Sequence, residues 1–484
     1  MLFNSGAFWS FLAAACCAYY LTPRRFRWVP LLAASYYFYA SFRPSILAVL
    51  VFLTGFVYLV TRVMQSAHSR TTRRLLLVAD VGVPLLALVV FKYVGLIAEL
   101  LEYLGSPFTR ASVGPINVLA PIGISFYTFK LLSYAIDVYH HRIAAERHPG
   151  YFALYVSFFP QILAGPIERP GHLLPQLRQS AAFDLSAIWA GVKLAAWGLF
   201  KKMVVADRLA YYVGEVFVSP EYKGFHLVLG AWFYYFQIYA DFSGYSDISI
   251  GISRALGFSP PANFDYPYLS RSVSQFWTRW HITLSTWLRD YLFVPITYAV
   301  MRRIDGDTWL GIRTETWGYV VGMSATMLLG GLWHGAAFTF AAWGALHGAF
   351  LVCSYVTKKA RRLWCRAIGL SRVPRLHHAV SLVVTFQFVT LAWILFRATS
   401  FENAWTYVRY MQIRLPAAGR VNLLFGALVV LVLLAAEYVQ RHADEVWVVR
   451  RVPVEVKAVG YALFAVMLIV FSVDTNNPFI YFRF

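Results

Sequence analysis

The chain has 484 residues, of which 59% are hydrophobic and only 14% are charged, and its mean hydropathy is +0.56. Soluble domains usually carry about a quarter charged residues, so this composition excludes a soluble globular protein and predicts an all-α polytopic membrane protein. The formal net charge is +20, but the basic residues cluster between apolar runs, as in cytoplasmic loops, and no nucleic-acid partner is expected.

Apolar runs that span a bilayer, or nearly do so, recur along the whole chain, and we expect about eleven to thirteen membrane helices. No polar interval is long enough to form a soluble core, so any chemistry lies in or near the bilayer. We divide the sequence into N-terminal scaffold helices at 1–115, a core at 116–356 and C-terminal helices at 357–484. The clearest runs cover residues 7–21, 46–60, 75–90, 227–240, 380–396, 421–436 and 458–473.

Basic residues flank these runs unevenly, which predicts the orientation of the chain. Arg24, Arg25 and Arg27 follow the first run, and the largest basic cluster lies within 358–375. With both segments in the cytoplasm, the N- and C-termini lie on the outer face. The four cysteines show neither CxxC spacing nor a disulfide framework, and the scattered histidines predict no metal site.

Polar side chains begin to interrupt the apolar frame at Pro121. Helical spacing places Tyr127, Lys130 and Tyr134 on one face, and a polar stripe of this kind faces a protein interior or a wet cavity. Prolines and a glycine follow within 158–170 and predict a broken or re-entrant helix, which is tolerated only where protein or water satisfies the freed backbone groups. Such breaks often mark a binding region.

Two acidic residues, Asp241 and Asp247, lie in the most polar of the apparently intramembrane segments, residues 237–249. An acid in such a place can bind a cation, orient a histidine or pair with an arginine. Structural pairing with Arg254 or Arg279 is the alternative to a functional role.

The next segment is crowded with tryptophan, histidine and arginine. On one continuous helix Trp277, His281 and Ser285 share a face. Arg279 and Arg289 point elsewhere. The pattern predicts either a helix that lines a funnel for an anionic ligand or a basic amphipathic helix at the interface with no catalytic duty.

His334 lies between Trp333 and Gly335 in an apolar segment, where an ionisable group is costly and is therefore a candidate for function. Gly330 and Gly331 remove side-chain bulk near the imidazole, so that another helix, a ligand or a narrow tunnel can come close. The alternative is a neutral histidine that ties two helices together by a hydrogen bond.

Five motifs, in this order, resemble the membrane-bound O-acyltransferase family, and most closely its bacterial alginate O-acetyltransferase branch. The likeness runs from about residue 121 to 348. The chain departs from that branch after Pro295, where Ile296 and Thr297 stand in place of two glycines. The motifs are PIGISFYTFKLLSYAIDVY, SFFPQILAGPIERP, DFSGYSDISIGISRALGF, FWTRWHITLSTWLRDY and LGGLWHGAAFTFAAWGALHG.

The resemblance implies a curved bundle of membrane helices around a central tunnel, with the catalytic core at 116–356. It implies that His334 is a catalytic residue and that His281 is a second one. As general base, His334 is expected to take the proton of an acceptor hydroxyl that attacks a thioester, while His281 orients the acceptor or stabilises the oxyanion. The further candidates for binding substrate or donor are Arg279, Arg289, Trp280, Asp241, Asp247, Tyr127 and Trp333.

The resemblance also implies a biological setting. The protein is expected in a bacterial inner membrane with periplasmic termini, without a permanently bound cofactor and with acetyl-CoA as acyl donor. It brings acetyl groups across the membrane, and periplasmic relay or acetyltransferase proteins place them on an exopolysaccharide such as alginate or cellulose. The alternatives are a transporter or export scaffold without its own chemistry, or an acyltransferase for another envelope polymer such as teichoic acid or peptidoglycan.

Overall fold

A computed structural model of the chain describes residues 1–105, 121–218, 224–412, 420–442, 453–471 and 479–480. Within these ranges the regular secondary structure is helical apart from one short antiparallel pair, β1 (Thr308–Trp309) with β2 (Ile312–Arg313). The predicted all-α membrane class is confirmed.

Packing divides the chain into two compact units, of which the first comprises Met1–Ala195 and Ser246–Ala262. Its aromatic core begins in the N-terminal helices, where Phe8 and Phe38 are fully buried with their ring centroids 5.7 Å apart. The helices are α1 (Gly6–Leu21), α2 (Trp28–Ala40), α3 (Pro44–Ser66), α4 (Arg70–Leu88), α5 (Val94–Tyr103), α6 (Ile124–Tyr139), α7 (Pro149–Ser157), α8 (Pro170–Gln179) and most of α9 (Leu185–Leu199).

The second unit comprises Ala196–Tyr245 and Asn263–Arg483. It contains all the predicted catalytic residues. Its helices are the end of α9, α10 (Asp207–Val218), the first part of α11 (Phe225–Ala255), α12 (Val273–Arg279), α13 (Ile282–Leu288), α14 (Val294–Met301), α15 (Thr314–His334), α16 (Phe338–Val356), α17 (Lys358–Ala367), α18 (Pro374–Arg397), α19 (Phe401–Tyr410), α20 (Arg420–His442) and α21 (Val454–Phe471).

Six helical segments of the described chain are long and apolar enough to cross a membrane. They are α3, the continuous segment Arg70–Tyr103, α16, α18, Leu424–Arg441 within α20, and α21. The larger number inferred from the sequence stays a prediction, because it includes shorter or more polar helices such as α11.

The polar face of α6 is buried within the first unit, as predicted. Tyr127 and Tyr134 are fully buried and Lys130 is 2% exposed. Lys130 donates to the carbonyl oxygen of Tyr155 at 3.1 Å and to Oε1 of Gln161 at 3.2 Å. A buried ammonium thus finds its acceptors in the protein interior.

The predicted break within 158–170 is also present. Helix α7 ends at Ser157, and twelve residues separate it from α8, which begins at Pro170. A Cβ added at Gly165 would lie 2.5 Å from Cα of Gln161 and 2.5 Å from Oγ of Ser249. Glycine at this position therefore lets the non-helical chain pass close to its neighbours.

Helices α15 and α16 form a tight antiparallel pair in the second unit. A Cβ on Gly331 would lie 2.4 Å from the carbonyl oxygen of Phe340, and one on Gly344 would lie 2.2 Å from that of Met327. Because Cβ atoms do not approach other atoms so closely, only glycine allows the two backbones to touch here. His334, the last residue of α15, stands next to this contact.

The prediction of a single continuous helix around His281 is wrong, because the chain forms two helices there, α12 and α13, with His281 between them. His281 has a φ of +42°, in the left-handed region. The main-chain N–H of Ile282 donates to the carbonyl of Asn263 at 2.9 Å, which takes the place of a helical hydrogen bond. Trp277 and Ser285 therefore do not share a helix face with His281.

Candidate active site

A side-chain amide fixes the imidazole of His281. The ring is fully buried, and its Nδ1 lies 3.0 Å from Oδ1 of Asn263. The same oxygen accepts from the main-chain N–H of Thr283 at 3.3 Å and from its hydroxyl at 2.9 Å. A main-chain N–H only donates, so the shared atom is the amide oxygen and Nδ1 of His281 carries the proton. In the neutral ring Nε2 is then the acceptor.

Aromatic rings surround the imidazole of His334. The residue is 3% exposed. The ring centroids of Trp333, Trp343 and Phe396 lie 4.9, 5.0 and 5.4 Å from its own. All three contacts are edge contacts, with interplanar angles of 75°, 86° and 71°. These rings enclose the imidazole and leave little of it open to solvent.

The side chain of Trp333 connects the two predicted catalytic histidines. Its ring centroid lies 6.2 Å from that of His281 and 4.9 Å from that of His334. Trp280, another predicted binding residue, is fully buried, and its ring centroid lies 5.1 Å from that of Trp393. Trp393 in turn lies 5.4 Å from Trp343, so these rings form one aromatic cluster in the second unit. Four of the predicted residues belong to it: His281, His334, Trp333 and Trp280.

A third histidine, His347, belongs to the same cluster and was given no role by the sequence analysis. It lies on α16 and is fully buried. Its ring centroid is 4.8 Å from that of Trp343, which also contacts His334. Nδ1 of His347 accepts a hydrogen bond from the indole N–H of Trp277 at 3.3 Å. The same argument that singled out His334, an ionisable group in an apolar helix, would have found it.

Asp241 forms a buried charge cluster rather than a part of the aromatic site. The Nζ of Lys202 lies 2.6 Å from Oδ1 of Asp241 and 2.8 Å from Oδ1 of Asp207. The other oxygen of Asp241 accepts from the main-chain N–H of Ile480 at 2.9 Å. The partner of Asp241 is therefore Lys202, and neither arginine considered from the sequence. A buried lysine requires such compensation.

The remaining candidates are two residues of the first unit and two arginines of the second. Tyr127 and Asp247 belong to the first unit. The side chain of Arg289 is 60% exposed and its Nε lies 2.8 Å from Oδ1 of the neighbouring Asp290. Arg279 is 15% exposed at its side chain, with Nε 3.6 Å from Oδ2 of Asp265.

Comparison with known proteins identifies the relatives of this site. Residues 145–374, which include all three buried histidines of the cluster, match the family described as MBOAT, membrane-bound O-acyltransferase family. The probable alginate O-acetylase AlgI of Pseudomonas aeruginosa is 37% identical over 84% of this chain and 74% of its own length. Its counterpart in Pseudomonas putida is 34% identical over the full length of both chains. The peptidoglycan O-acetyltransferase of Helicobacter pylori is 30% identical over 77% of this chain and 71% of its own.

Proposed function

Since the chain belongs to the membrane-bound O-acyltransferase family and is an O-acyltransferase, we propose that it carries acetyl groups from cytoplasmic acetyl-CoA across the inner membrane for O-acetylation of an exopolysaccharide. The alginate O-acetylases among its relatives support alginate as the polymer, and cellulose is the other exopolysaccharide considered. The single observation that carries the proposal is the buried imidazole of His334, one tryptophan away from a second buried imidazole.

His334 acts as the general base in this proposal. The acceptor hydroxyl loses its proton to the imidazole while its oxygen attacks the thioester carbonyl carbon, and the carbonyl π electrons move to oxygen. When the carbonyl re-forms, the carbon–sulfur bond breaks and the thiolate takes the proton back from His334. The products are the acetyl ester and free coenzyme A. General acid–base catalysis of this kind contributes about 10²- to 10⁴-fold.

His281 binds and orients the acceptor in this scheme. Its Nδ1 proton is held by Asn263, so Nε2 of the neutral ring accepts a hydrogen bond from a hydroxyl. The same tautomer has no second N–H with which to stabilise an oxyanion. Of the two roles considered for His281, the geometry favours orientation of the acceptor.

Exposed basic residues attract the phosphates of the donor. Arg289 is the more available of the two arginines near His281, because its side chain is 60% exposed. Helix α17 adds Lys358, Lys359 and Arg361, all of them exposed. We place this basic side in the cytoplasm and both chain termini in the periplasm, where partner proteins complete the transfer to the polymer.

A transfer assay tests the proposal directly. The purified protein in lipid vesicles receives labelled acetyl-CoA together with candidate periplasmic partners, and wild type is compared with His334→Ala. His378→Ala is the control, since His378 is an exposed histidine on α18. We expect His334→Ala to lose at least about 100-fold in transfer and the control to match wild type. Equal transfer by wild type and His334→Ala would remove this histidine from the chemistry.

The acceptor is tested in the same assay. The likeness to a peptidoglycan O-acetyltransferase favours peptidoglycan as the second candidate. Alginate, acetyl-free cellulose and peptidoglycan are offered separately, each with and without the periplasmic partners. We expect labelled alginate or cellulose to accumulate only when the partners are present. Preferential labelling of peptidoglycan would make peptidoglycan, and not an exopolysaccharide, the acceptor.

A further inference from the structure

Four buried N–H groups of the aromatic cluster have no hydrogen-bond acceptor in the part of the chain that the structure describes. They are Nε1 of Trp280, Trp343 and Trp393, and Nε2 of His347. Each of these residues is at most 1% exposed. A buried donor without an acceptor costs about 1–3 kcal/mol, so four of them in one cluster require a physical reason.

The four donors belong to one continuous series of ring contacts that reaches His334. The ring centroid of Trp343 lies 4.8 Å from that of His347 and 5.4 Å from that of Trp393. Trp393 in turn lies 5.1 Å from Trp280. Trp343 is also 5.0 Å from His334, with the two rings nearly perpendicular at 86°. One of the four donors, the indole of Trp343, therefore belongs to a ring that contacts the imidazole proposed as general base.

The hydrogen bond from Trp277 determines what His347 offers to its surroundings. The indole N–H of Trp277 donates to Nδ1 of His347, so Nδ1 is an acceptor and a neutral ring carries its proton on Nε2. This tautomer is the reverse of that of His281, where Nδ1 donates to Asn263. One buried histidine thus presents an acceptor at Nε2 and the other a donor.

We propose that the N–H groups of Trp343 and His347 form the oxyanion hole for the thioester carbonyl, an inference that rests on the proposed acyl transfer. As the acceptor oxygen bonds to the carbonyl carbon, the carbonyl oxygen gains the electron pair of the broken π bond. Two preorganised donors in a water-poor enclosure stabilise that charge. When the carbon–sulfur bond breaks and the carbonyl re-forms, the charge leaves the oxygen and passes to sulfur.

The identity of the ligand follows from the chemistry of the cluster. The four atoms named above are donors, which match the oxygen of an acyl thioester. Trp343 and His347 are chosen from the four because Trp343 touches the proposed base and His347 touches Trp343. Trp280 and Trp393 lie further along the series of rings. Contacts between an N–H and an aromatic face satisfy a donor only weakly.

Conservative substitutions distinguish the effect of each N–H donor from the effect of the aromatic ring that carries it. Trp343→Phe keeps an aromatic ring and removes the N–H, and His347→Phe does the same. His347→Gln keeps an N–H donor near the position of Nε2. The matched control is Trp232→Phe in α11, whose indole donates to Oε1 of Gln387 at 3.3 Å. The assay is acetyl transfer in vesicles with kcat and KM for acetyl-CoA measured separately.

We expect Trp343→Phe and His347→Phe each to lower kcat about 100-fold, the usual effect of removing one oxyanion donor. KM for acetyl-CoA stays within about threefold because the donor acts on the transition state. His347→Gln recovers at least about tenfold of the loss, and Trp232→Phe behaves as wild type. If the melting midpoint of Trp343→Phe falls well below that of Trp232→Phe, its lower kcat could come from unfolding. The comparison of His347→Phe with His347→Gln then decides whether the N–H donor is needed.

The inference is overturned if His347→Phe and Trp343→Phe keep the kcat of the control, or if His347→Gln is no better than His347→Phe. A loss confined to thermal stability or to KM would likewise assign these groups to packing. Active wild type with inactive His334→Ala leaves the proposed function standing in each of these cases. Inactive wild type would refute the proposed function and this inference together.

Discussion

At the scale of single residues, His281 combines a left-handed backbone conformation with a side chain held in place by a hydrogen bond. Its φ of +42° lies in a region that non-glycine residues rarely adopt, although histidine tolerates it better than most. Such a conformation costs about 1–3 kcal/mol and persists only where the surroundings determine it. Here the three hydrogen bonds accepted by the amide oxygen of Asn263 supply that constraint.

Replacing Asn263 tests whether this constraint serves the chemistry. Asn263→Ala removes the acceptor for Nδ1 of His281 and for both donors of Thr283. We expect acetyl transfer to fall at least tenfold and the free energy of unfolding to fall by about 1–3 kcal/mol. Transfer in vesicles and the thermal midpoint in detergent measure the two effects.

Thr283→Val is the control for that change, because it removes one hydroxyl donor and leaves the bond between His281 and Asn263 in place. We expect this variant to transfer acetyl groups within about threefold of wild type. If the two variants lose transfer equally, Asn263 does not act through the imidazole.

At the scale of helices, the contact between α15 and α16 determines where His334 stands. The two backbones meet at Gly331 and Gly344, where a Cβ would come within 2.4 Å and 2.2 Å of carbonyl oxygens. Adding volume to a close helix–helix contact forces the backbones to shift and costs about 1–3 kcal/mol. A single methyl group at this contact therefore moves the end of α15.

Gly344→Ala is the corresponding test. We expect a lower thermal midpoint and a loss of acetyl transfer larger than the loss of folded protein, because the shift displaces His334 from Trp343. Gly55→Ala in α3 is the control, since nothing lies within 4 Å of a Cβ there and alanine favours a helix. Unchanged transfer by a stable Gly344→Ala protein would contradict the argument.

At the scale of the whole molecule, one long helix separates two shorter helices of different charge. Helix α18 has 24 residues, which at 1.5 Å per residue is about 36 Å and enough to cross a bilayer. Helix α17, which precedes it, has five Lys and Arg residues and no acid, whereas α19, which follows it, has one acid, Glu402, and one base, Arg409. The positive-inside rule predicts a cytoplasmic α17 and a periplasmic α19.

Cysteine labelling measures this orientation. Arg361→Cys and Glu402→Cys are introduced separately into a chain whose four cysteines are replaced by serine; both positions are exposed. A membrane-impermeant maleimide should label position 402 in spheroplasts and position 361 only in inverted vesicles. The opposite pattern would reverse the orientation, and the N-terminus with it.

Local sequence patterns predicted the features that depend on neighbouring residues. The buried face of α6 follows from helical spacing, and the break before Pro170 from its prolines and glycine. The membrane class follows from composition. The motif resemblance supplied the family and both predicted histidines.

Contacts between distant parts of the chain were not predictable in the same way. The left-handed backbone of His281 has no signature in the spacing of apolar residues, so that spacing predicts a continuous helix with Trp277 on the same face as His281. Lys202 precedes Asp241 by 39 residues, and nothing in either segment alone identifies the other as its partner. The role proposed for His347 depends on rings contributed by three helices.

The depth of the three clustered histidines has a consequence for chemical modification. His281 and His347 are fully buried and His334 is 3% exposed. Carbethoxylating reagents need access to an unprotonated ring nitrogen, so they will consume the surface histidines first. Inactivation should lag behind the bulk of labelling and follow the slow reaction of the three buried histidines. The exposed histidines that react early are His68, His140, His141 and His378.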